Sequence, residues 1–397
     1  MKTWIDVEEK YYMYAARRQP IVLVRGDGTE VWDENDKRYL DFTAGWAVNN
    51  VGHANKEVVQ AIVNQANTLM QTSNQFYTIP QLELAQLLVD NSCLDRVFFC
   101  NSGAEANEGA VKLARKYGRE HLNGAFEIIT ALNSFHGRTL TMAAATGQPH
   151  YQEAWQPLIP GFIHVPFDDI DALKAATTEK TCAILLEPVE AEGGVITPRA
   201  DYLKNVREWC NDKGILLILD EVQTGMGRLG TLFGYQSFGV EPDIITLAKG
   251  LGGGVPIGAI LAKEHAALFV PGDHGSTFGG NPLTCAAARA TVQYLLDHQV
   301  PDRAVTMGKR LRTGLDILAT EFECVVEIRG MGLLLAIQFR DNIAADIVAA
   351  SNEAGLLLNP VRPDTVRIMP PLTVAESEID EALQLLTQVL GKTVPNG

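Results

Sequence analysis

Between Arg96 and Leu261 the chain returns six times to one pattern, a run of four to six mostly apolar residues closed by a loop. The runs are Arg96–Cys100, Glu127–Thr130, Cys182–Leu186, Ile215–Leu219, Asp243–Ala248 and Ile257–Leu261. Helical spacing fills several of the gaps, as in Ala104–Tyr117 and Tyr202–Cys210. Strands apolar along their whole length must be covered on both faces, and helices between them supply the cover. The expected core is therefore an α/β layer with a mostly parallel sheet. The flanks read differently. Residues 1–44 hold short alternating segments such as Ile21–Arg25 and Glu30–Asp33. After Asn281 come a long helix, Val326–Ile328, Leu333–Phe339, a further helix and Arg367–Met369. We expect an N-terminal arm over 1–44, a large α/β domain over 45–285, and a smaller α+β domain over 286–397 that the arm joins.

The charge balance narrows the partners. With 33 Lys and Arg against 48 Asp and Glu, the net charge is −15, which argues against nucleic acid and anionic membrane surfaces. An acidic small molecule would have to be caught by local arginines. The six cysteines are scattered without a C-x-x-C, as in a reduced, cytoplasmic protein. Residues 1–10 lack the apolar core of a signal peptide, and no apolar run reaches the ~18 residues of a membrane span.

In open α/β sheets ligands collect at the carboxyl ends of the strands, so the residues delivered there carry the functional reading. Asp243–Ala248 delivers Lys249 into Gly250-Leu-Gly-Gly-Gly254. An amine at a strand end beside freely approachable backbone suits a Schiff-base enzyme; a surface lysine is the ordinary alternative. Ile215–Leu219 delivers Asp220 and Glu221, with Gln223 one turn on. Asp220 is placed to hold a proton on a ligand nitrogen and Gln223 to bond a ligand oxygen; a helix cap or salt bridge is the alternative. Arg96–Cys100 leads to Ser102-Gly103-Ala104 at a helix start, a ready anion site that also fits a plain N-cap.

Cys182–Leu186 ends in Glu187, Glu190 and Glu192, at least one of which should face a ligand. Clustered carboxylates suit hard cations. Yet no D-x-D-x-D-G or H-E-x-x-H accompanies them, and no metal is expected. Glu127–Thr130 leads to Phe135-His-Gly-Arg138, where a ring can stack on a planar group and an arginine can clamp a carboxylate. Arg367 offers a second arginine at a predicted strand start. Gly225-Met-Gly-Arg-Leu-Gly230 matches the dinucleotide fingerprint G-x-G-x-x-G, but five residues separate it from its strand and no helix follows.

A lysine, an aspartate, an anion cradle and an aromatic are together the parts needed to hold pyridoxal 5'-phosphate. The motifs Asn101–Glu108, Phe135–Thr139, Leu219–Gly225, Leu247–Gly258 and Ser276–Pro282 resemble those of class III aminotransferases, in the same order. The similarity extends from about Arg25 to Leu372. It implies the pyridoxal-phosphate-dependent transferase fold, fold type I. Phe42–Asn49, Gly52-His53, Thr72–Asn74 and Glu187–Gly194 are most similar to the branch that uses N-acetylornithine and 2-oxoglutarate in arginine biosynthesis.

The resemblance implies roles. Lys249 would be the Schiff-base lysine, Asp220 the partner of the ring nitrogen and Gln223 that of the phenolic oxygen. Phe135 would stack on the ring, and Ser102, Gly103 and Ala104 would bind phosphate. Thr277 would reach the partner subunit's phosphate, which implies a homodimer with shared sites. Arg138 and Arg367 would hold substrate carboxylates, with Ser276 a further substrate contact. Glu192 would switch, pairing with Arg367 for one substrate and releasing it for glutamate. Members often carry Gln-Gly-Glu where this chain has Glu190-Ala191-Glu192, so Glu190 is expected to add charge near the site. Ornithine-specific members tend to carry tyrosine at the position of Gly45, which is expected to leave room for an acylated substrate. Related donors (succinylornithine, succinyldiaminopimelate, ornithine, 4-aminobutyrate) would share these motifs. A racemase or decarboxylase of the same fold, or a non-enzymatic binding protein, are the readings from other classes.

Overall fold

The computed structural model describes residues 3–393, so both outer ends of the expected arm and C-terminal domain lie outside the described residues. An antiparallel meander comes first: β1 (Leu23–Asp27), β2 (Glu30–Asp33) and β3 (Arg38–Asp41). The large sheet follows with β4 (Arg96–Cys100), β5 (Glu127–Ala131), β6 (Phe162–Val165), β7 (Thr181–Leu186), β8 (Leu216–Asp220), β9 (Ile244–Leu247) and β10 (Gly258–Ala262). Its order is β4-β10-β9-β8-β7-β5-β6. Only β10 runs antiparallel to its neighbours, so the others all point their carboxyl ends to one side.

All six expected strands are present within a residue or so. The seventh, β6, pairs parallel with β5 at the edge of the sheet. Its four residues, Phe-Ile-His-Val, are only partly buried, and a short edge strand broken by histidine has no continuous apolar signature. Strands β7 to β10 are buried along their whole length, as expected of strands covered on both faces. One cover is the helix Gly103–His121, which buries Ala106, Ala110, Val111, Leu113 and Ala114 against β9 and β10. Small residues on that stripe let the helix axis approach the sheet closely.

A third sheet is built from β11 (Val325–Met331) and β12 (Leu334–Phe339). The two-residue β13 (Leu356–Leu357) leaves it to pair parallel with β3, and β14 (Asn359–Arg362) and β15 (Thr365–Ile368) complete it, in the order β11-β12-β15-β14. The chain's two ends are thus joined by backbone pairing between β3 and β13. Arg367, expected at a strand start, is the third of the four residues of β15 and is fully buried.

Candidate active site

A cavity of about 430 Å³ opens at the carboxyl ends of β4, β5, β7, β8 and β9. It is walled by Ser102, Gly103, Ala104, Phe135, Arg138, Glu192, Asp220, Gln223 and Lys249 from the sequence reading. Ser276, Thr277 and Arg367 are not among its walls.

Lys249 follows β9 after one intervening residue, Ala248, and carries a positive φ of 43°, a strained setting for a side-chain-bearing residue. Its Nζ makes no hydrogen bond or ion pair among the described residues. Burial pushes the amine below the usual lysine range, and the Arg367 charge adds to this, while Glu192, Asp220 and Glu187 oppose it. A deprotonated amine is thereby more accessible than on a surface lysine.

Asp220 ends β8 and is 3% exposed. Its Oδ2 accepts from Asn107 Nδ2 at 2.7 Å and from His136 Nδ1 at 2.8 Å, and its Oδ1 accepts from the Val222 N–H at 3.0 Å. Asn107 is locked in turn, because its Oδ1 accepts from Thr246 Oγ1 at 2.6 Å. Three donors fix the carboxylate's plane at the cavity wall. His136 Nε2 is buried without a partner, so the ring's proton sits on Nδ1, facing Asp220.

The helix start at Ser102 forms a cradle. Ser102 is the N-cap, its Oγ accepting from the Glu105 N–H at 3.2 Å. The N–H groups of Gly103 and Ala104 have no partner among the described residues and belong to the first helical turn, where backbone donors are free for an anion. A Cβ on Gly103 would stand 2.8 Å from Val222 Cγ1, and one on Gly137 (φ +139°) would stand 2.8 Å from Ala104 Cβ. Glycine at both positions keeps the cradle open.

Phe135 is anchored by its own N–H, which donates to Glu187 Oε1 at 2.9 Å, and its ring meets Tyr151 edge-on at 5.6 Å. Arg138, exposed at the mouth, lies over the Tyr151 ring at 4.0 Å. Burial raises Glu187 to about 7, with Asp220 adding and His136 opposing.

Opposite the cradle, Glu192 and Arg367 are paired. Arg367 Nη1 donates to Glu192 Oε1 at 2.6 Å and to Gln223 Oε1 at 2.8 Å, and Nη2 donates to Asn359 Oδ1 at 2.9 Å. Burial alone would raise Glu192; the Arg367 and Lys249 charges and the hydrogen bonds from Arg367 and Gln223 together outweigh it and hold the carboxyl low. Gln223, expected to meet a ligand oxygen, instead bridges this pair, its Nε2 donating to Glu192 at 3.3 Å.

Two expectations, for Glu190 and Gly45, are corrected, and Ser276 and Thr277 lie away from the cavity of their own chain. Ser276 does not face the cavity of its own chain: its Oγ is used by Asn101 Nδ2 at 3.1 Å and the Gly279 N–H at 2.9 Å, which lock the 276–279 turn. Thr277 beside it is exposed, its carbonyl accepting from Gln71 Nε2 at 2.6 Å. Glu190 adds no charge at neutral pH, because burial, reinforced by Glu187, raises it to about 9, above what Arg362 can offset. Gly45 does not line the cavity. It sits at φ +61° in a turn where Ala44, Trp46 and Ala47 also have positive φ, so backbone geometry accounts for the glycine.

Residues the sequence did not single out also hold the site. Asn107 lies on the helix Gly103–His121, Tyr151 between β5 and β6 and Asn359 on β14, and only three-dimensional proximity reveals them. Arg228, inside the rejected glycine motif, is fully buried and donates to the carbonyls of Leu333 and Pro370 and to Asn50 Oδ1. It ties the 225–230 loop to both ends of the chain.

Comparison with known proteins places this geometry. The family model described as Aminotransferase class-III matches residues 12–390. The acetylornithine aminotransferase of Methanocaldococcus jannaschii is 52% identical over 394 residues, covering 98% of each chain. That of Methanothermobacter thermautotrophicus is 51% identical over 387 residues, covering 97% of this chain and 98% of the relative. Among solved structures, the ornithine aminotransferase of Toxoplasma gondii ME49 is similar with a TM-score of 0.94 at 34% identity, over 98% of this chain and 94% of that one. The acetylornithine aminotransferase of Elizabethkingia anophelis has a TM-score of 0.88 at 35% identity, over 98% of both.

Proposed function

The chain belongs to the class-III aminotransferase family, and from that premise we propose that it transfers the δ-amino group of N2-acetyl-L-ornithine to 2-oxoglutarate. The products are N-acetyl-L-glutamate 5-semialdehyde and L-glutamate, a step of arginine biosynthesis. The enzyme is pyridoxal-phosphate-dependent, as the family is. The observation that carries the reading is the pairing across one cavity of an unbonded, half-buried Lys249 amine with a thrice-held Asp220 carboxylate. Relatives about 50% identical over nearly the full chain, all named acetylornithine aminotransferase, support the donor.

The residues fit the cofactor: a glycine-lined helix start for the phosphate, an aromatic for the ring and an acid for its nitrogen. When bound, pyridoxal phosphate supplies an electron sink for the charge left when a C–H bond beside the reacting nitrogen breaks. Lys249 is the base that takes that proton and returns it, its amine readied by burial. Asp220, held in place by three donors, holds a proton at the ring nitrogen. The Gly103 and Ala104 N–H groups and the Ser102 hydroxyl hold the phosphate. Phe135 covers the ring face. Arg138 and Arg367 bind carboxylates, and Glu192 neutralises Arg367 while the substrate's far end is a neutral amide.

Gln223 contacts the phenolic oxygen when it leaves the Glu192–Arg367 pair. Thr277 serves the partner subunit's phosphate in a homodimer, which fits its exposure beside the exposed apolar Phe278 and the nearby Phe76, Tyr77 and Met70. Ser276, whose hydroxyl is taken up by its own turn, contributes by holding Thr277 in place. We assign the arm, large domain and small domain to 1–44, 45–285 and 286–397, and the enzyme to the cytoplasm. No helix among the described residues is long and apolar enough to cross a membrane.

The test is a panel of amino donors with 2-oxoglutarate, following glutamate. N-acetylornithine should give the highest kcat/KM, above ornithine, succinylornithine, succinyldiaminopimelate and 4-aminobutyrate. A different leading donor replaces the substrate assignment, and no glutamate from any donor defeats the transaminase reading.

A further inference from the structure

Three consecutive residues, Glu192, Gly193 and Gly194, are each gripped by a different arginine, and all three arginines project from one sheet. Arg367 on β15 pairs with the Glu192 carboxylate at 2.6 Å. Arg362 on β14 donates from Nε to the Gly193 carbonyl at 3.1 Å. Arg329 on β11 donates from Nε to the Gly194 carbonyl at 2.8 Å. Substrate alternation explains the first contact only.

The turn they hold is closed and strained. Its base is clipped by a reciprocal backbone pair, Glu190 N–H to Ile196 carbonyl and the reverse, both 3.0 Å. At its tip Gly194 has φ +115° and Val195 φ +59°. A β-branched residue in the left-handed region is disfavoured and persists only where its surroundings impose it. The two arginines are that surrounding: a Cβ on Gly194 would stand 3.2 Å from Arg329 Nη2 and 3.6 Å from Arg362 Cγ. Arg329 is itself fixed, its Nη1 donating to Glu327 at 2.7 Å and to Gln338, which in turn donates to Asp364 at 2.9 Å. No hydrogen bond from the Arg362 guanidinium is found among the described residues other than the one to Gly193, so it is the cleaner probe.

We propose that Arg362 and Arg329 are positioning residues for substrate alternation: by pinning the 192–194 turn to the sheet that carries Arg367, they bias Glu192 towards the paired state. With the turn pinned, Glu192 leaves Arg367 only by side-chain rotation and stays within reach to compete with an incoming second carboxylate. Loosening the turn removes that competition. Dicarboxylates gain, and the donor whose far end is a neutral amide loses. The substrate consequence rests on the functional reading above; the effect on the gate does not.

The experiment uses the cofactor-loaded enzyme and Arg362→Gln. The half-reactions with glutamate and with N-acetylornithine are each followed by cofactor absorbance, and binding of the unreactive dicarboxylate glutarate is measured by calorimetry. Losing one charge-assisted bond should shift the kcat/KM ratio towards glutamate by about fivefold and tighten glutarate by a similar factor. Amide hydrogen exchange over residues 191–196 should speed up. In a Glu192→Gln background the same change should move neither ratio nor glutarate affinity, whereas a merely structural role would lower both half-reactions in both backgrounds. Should Arg362→Gln fail to fold, Arg362→Lys, which keeps the charge and drops the Nε donor, is read in the same way. Unchanged glutarate affinity, or an equal fall in both half-reactions, overturns the proposal. A wild type that takes no amino group from N-acetylornithine defeats the functional reading alone, and the glutarate and exchange results then decide the gate.

Discussion

Replacing Glu192 by glutamine isolates the charge of the Glu192–Arg367 pair, because the amide keeps shape and an acceptor oxygen. The contact is 2.6 Å between Nη1 and Oε1, and the guanidinium is fully buried while the carboxylate side chain is 26% exposed. With charge centres roughly 4 Å apart, the attraction is about 4 kcal/mol at an effective dielectric of about 20. Solvent at the exposed edge of the carboxylate reduces this by about half, leaving ~2 kcal/mol. That energy opposes glutamate, whose second carboxylate must displace Glu192, and assists the acetylated donor, which would otherwise face an unpaired cation. Removing it should move the ratio of kcat/KM for glutamate over N-acetylornithine upward by about 30-fold, at 1.36 kcal/mol per decade. The assay is the pair of half-reactions under single-turnover conditions, each followed by cofactor absorbance in wild type and Glu192→Gln. A ratio that moves less than about threefold, or two rates that fall in parallel, would refute the electrostatic gate.

Lys249→Ala should lower turnover by at least about a thousandfold while cofactor is still retained through the cradle on dialysis, since it removes base and nucleophile together; loss of cofactor with activity restored by excess would point to a binding role only. Gly103→Ala places a Cβ 2.8 Å from Val222 Cγ1, and should weaken pyridoxal phosphate binding about tenfold or more with the melting temperature of the apo form little changed, as read by fluorescence titration. Glu190 is raised from 4.5 to about 9, so between those values the folded state holds a proton that the unfolded chain has lost. Stability contributed by this group is full below about 4.5 and is lost as pH rises towards about 9. Glu190→Gln should therefore gain melting temperature over wild type, by more at pH 8.5 than at pH 6, and a constant difference across that range contradicts a buried neutral acid.

Much of the fold was legible because fully covered strands leave a continuous apolar run. Ile215–Leu219 and Asp243–Ala248 are of that kind, and the carboxyl ends of such strands point to one side of a parallel sheet. Lys249, Asp220 and Ser102 could therefore be read as neighbours although 29 and 147 positions separate the last two from the first. Strand β6 was not legible, since an exposed edge with a histidine carries no such run. Arg367 was seen as an arginine near a strand, but its burial and its three acceptors follow only from the β12–β15–β14 packing. The contacts of Gln223 with Glu192 and Arg367 were not legible for the same reason: its loop position was clear and its partners were not.

Sequence by itself determined the apolar strands and which residues follow their carboxyl ends, Lys249, Asp220 and Ser102 among them, because each depends on local pattern and chain direction. Tertiary structure decided the state of the charges. Glu187, Glu190 and Glu192 lie within six residues of one another, yet burial raises the first two while Arg367 holds the third low. Three identical side chains acquire different protonation because dielectric and partner are properties of the packed site and not of the residue.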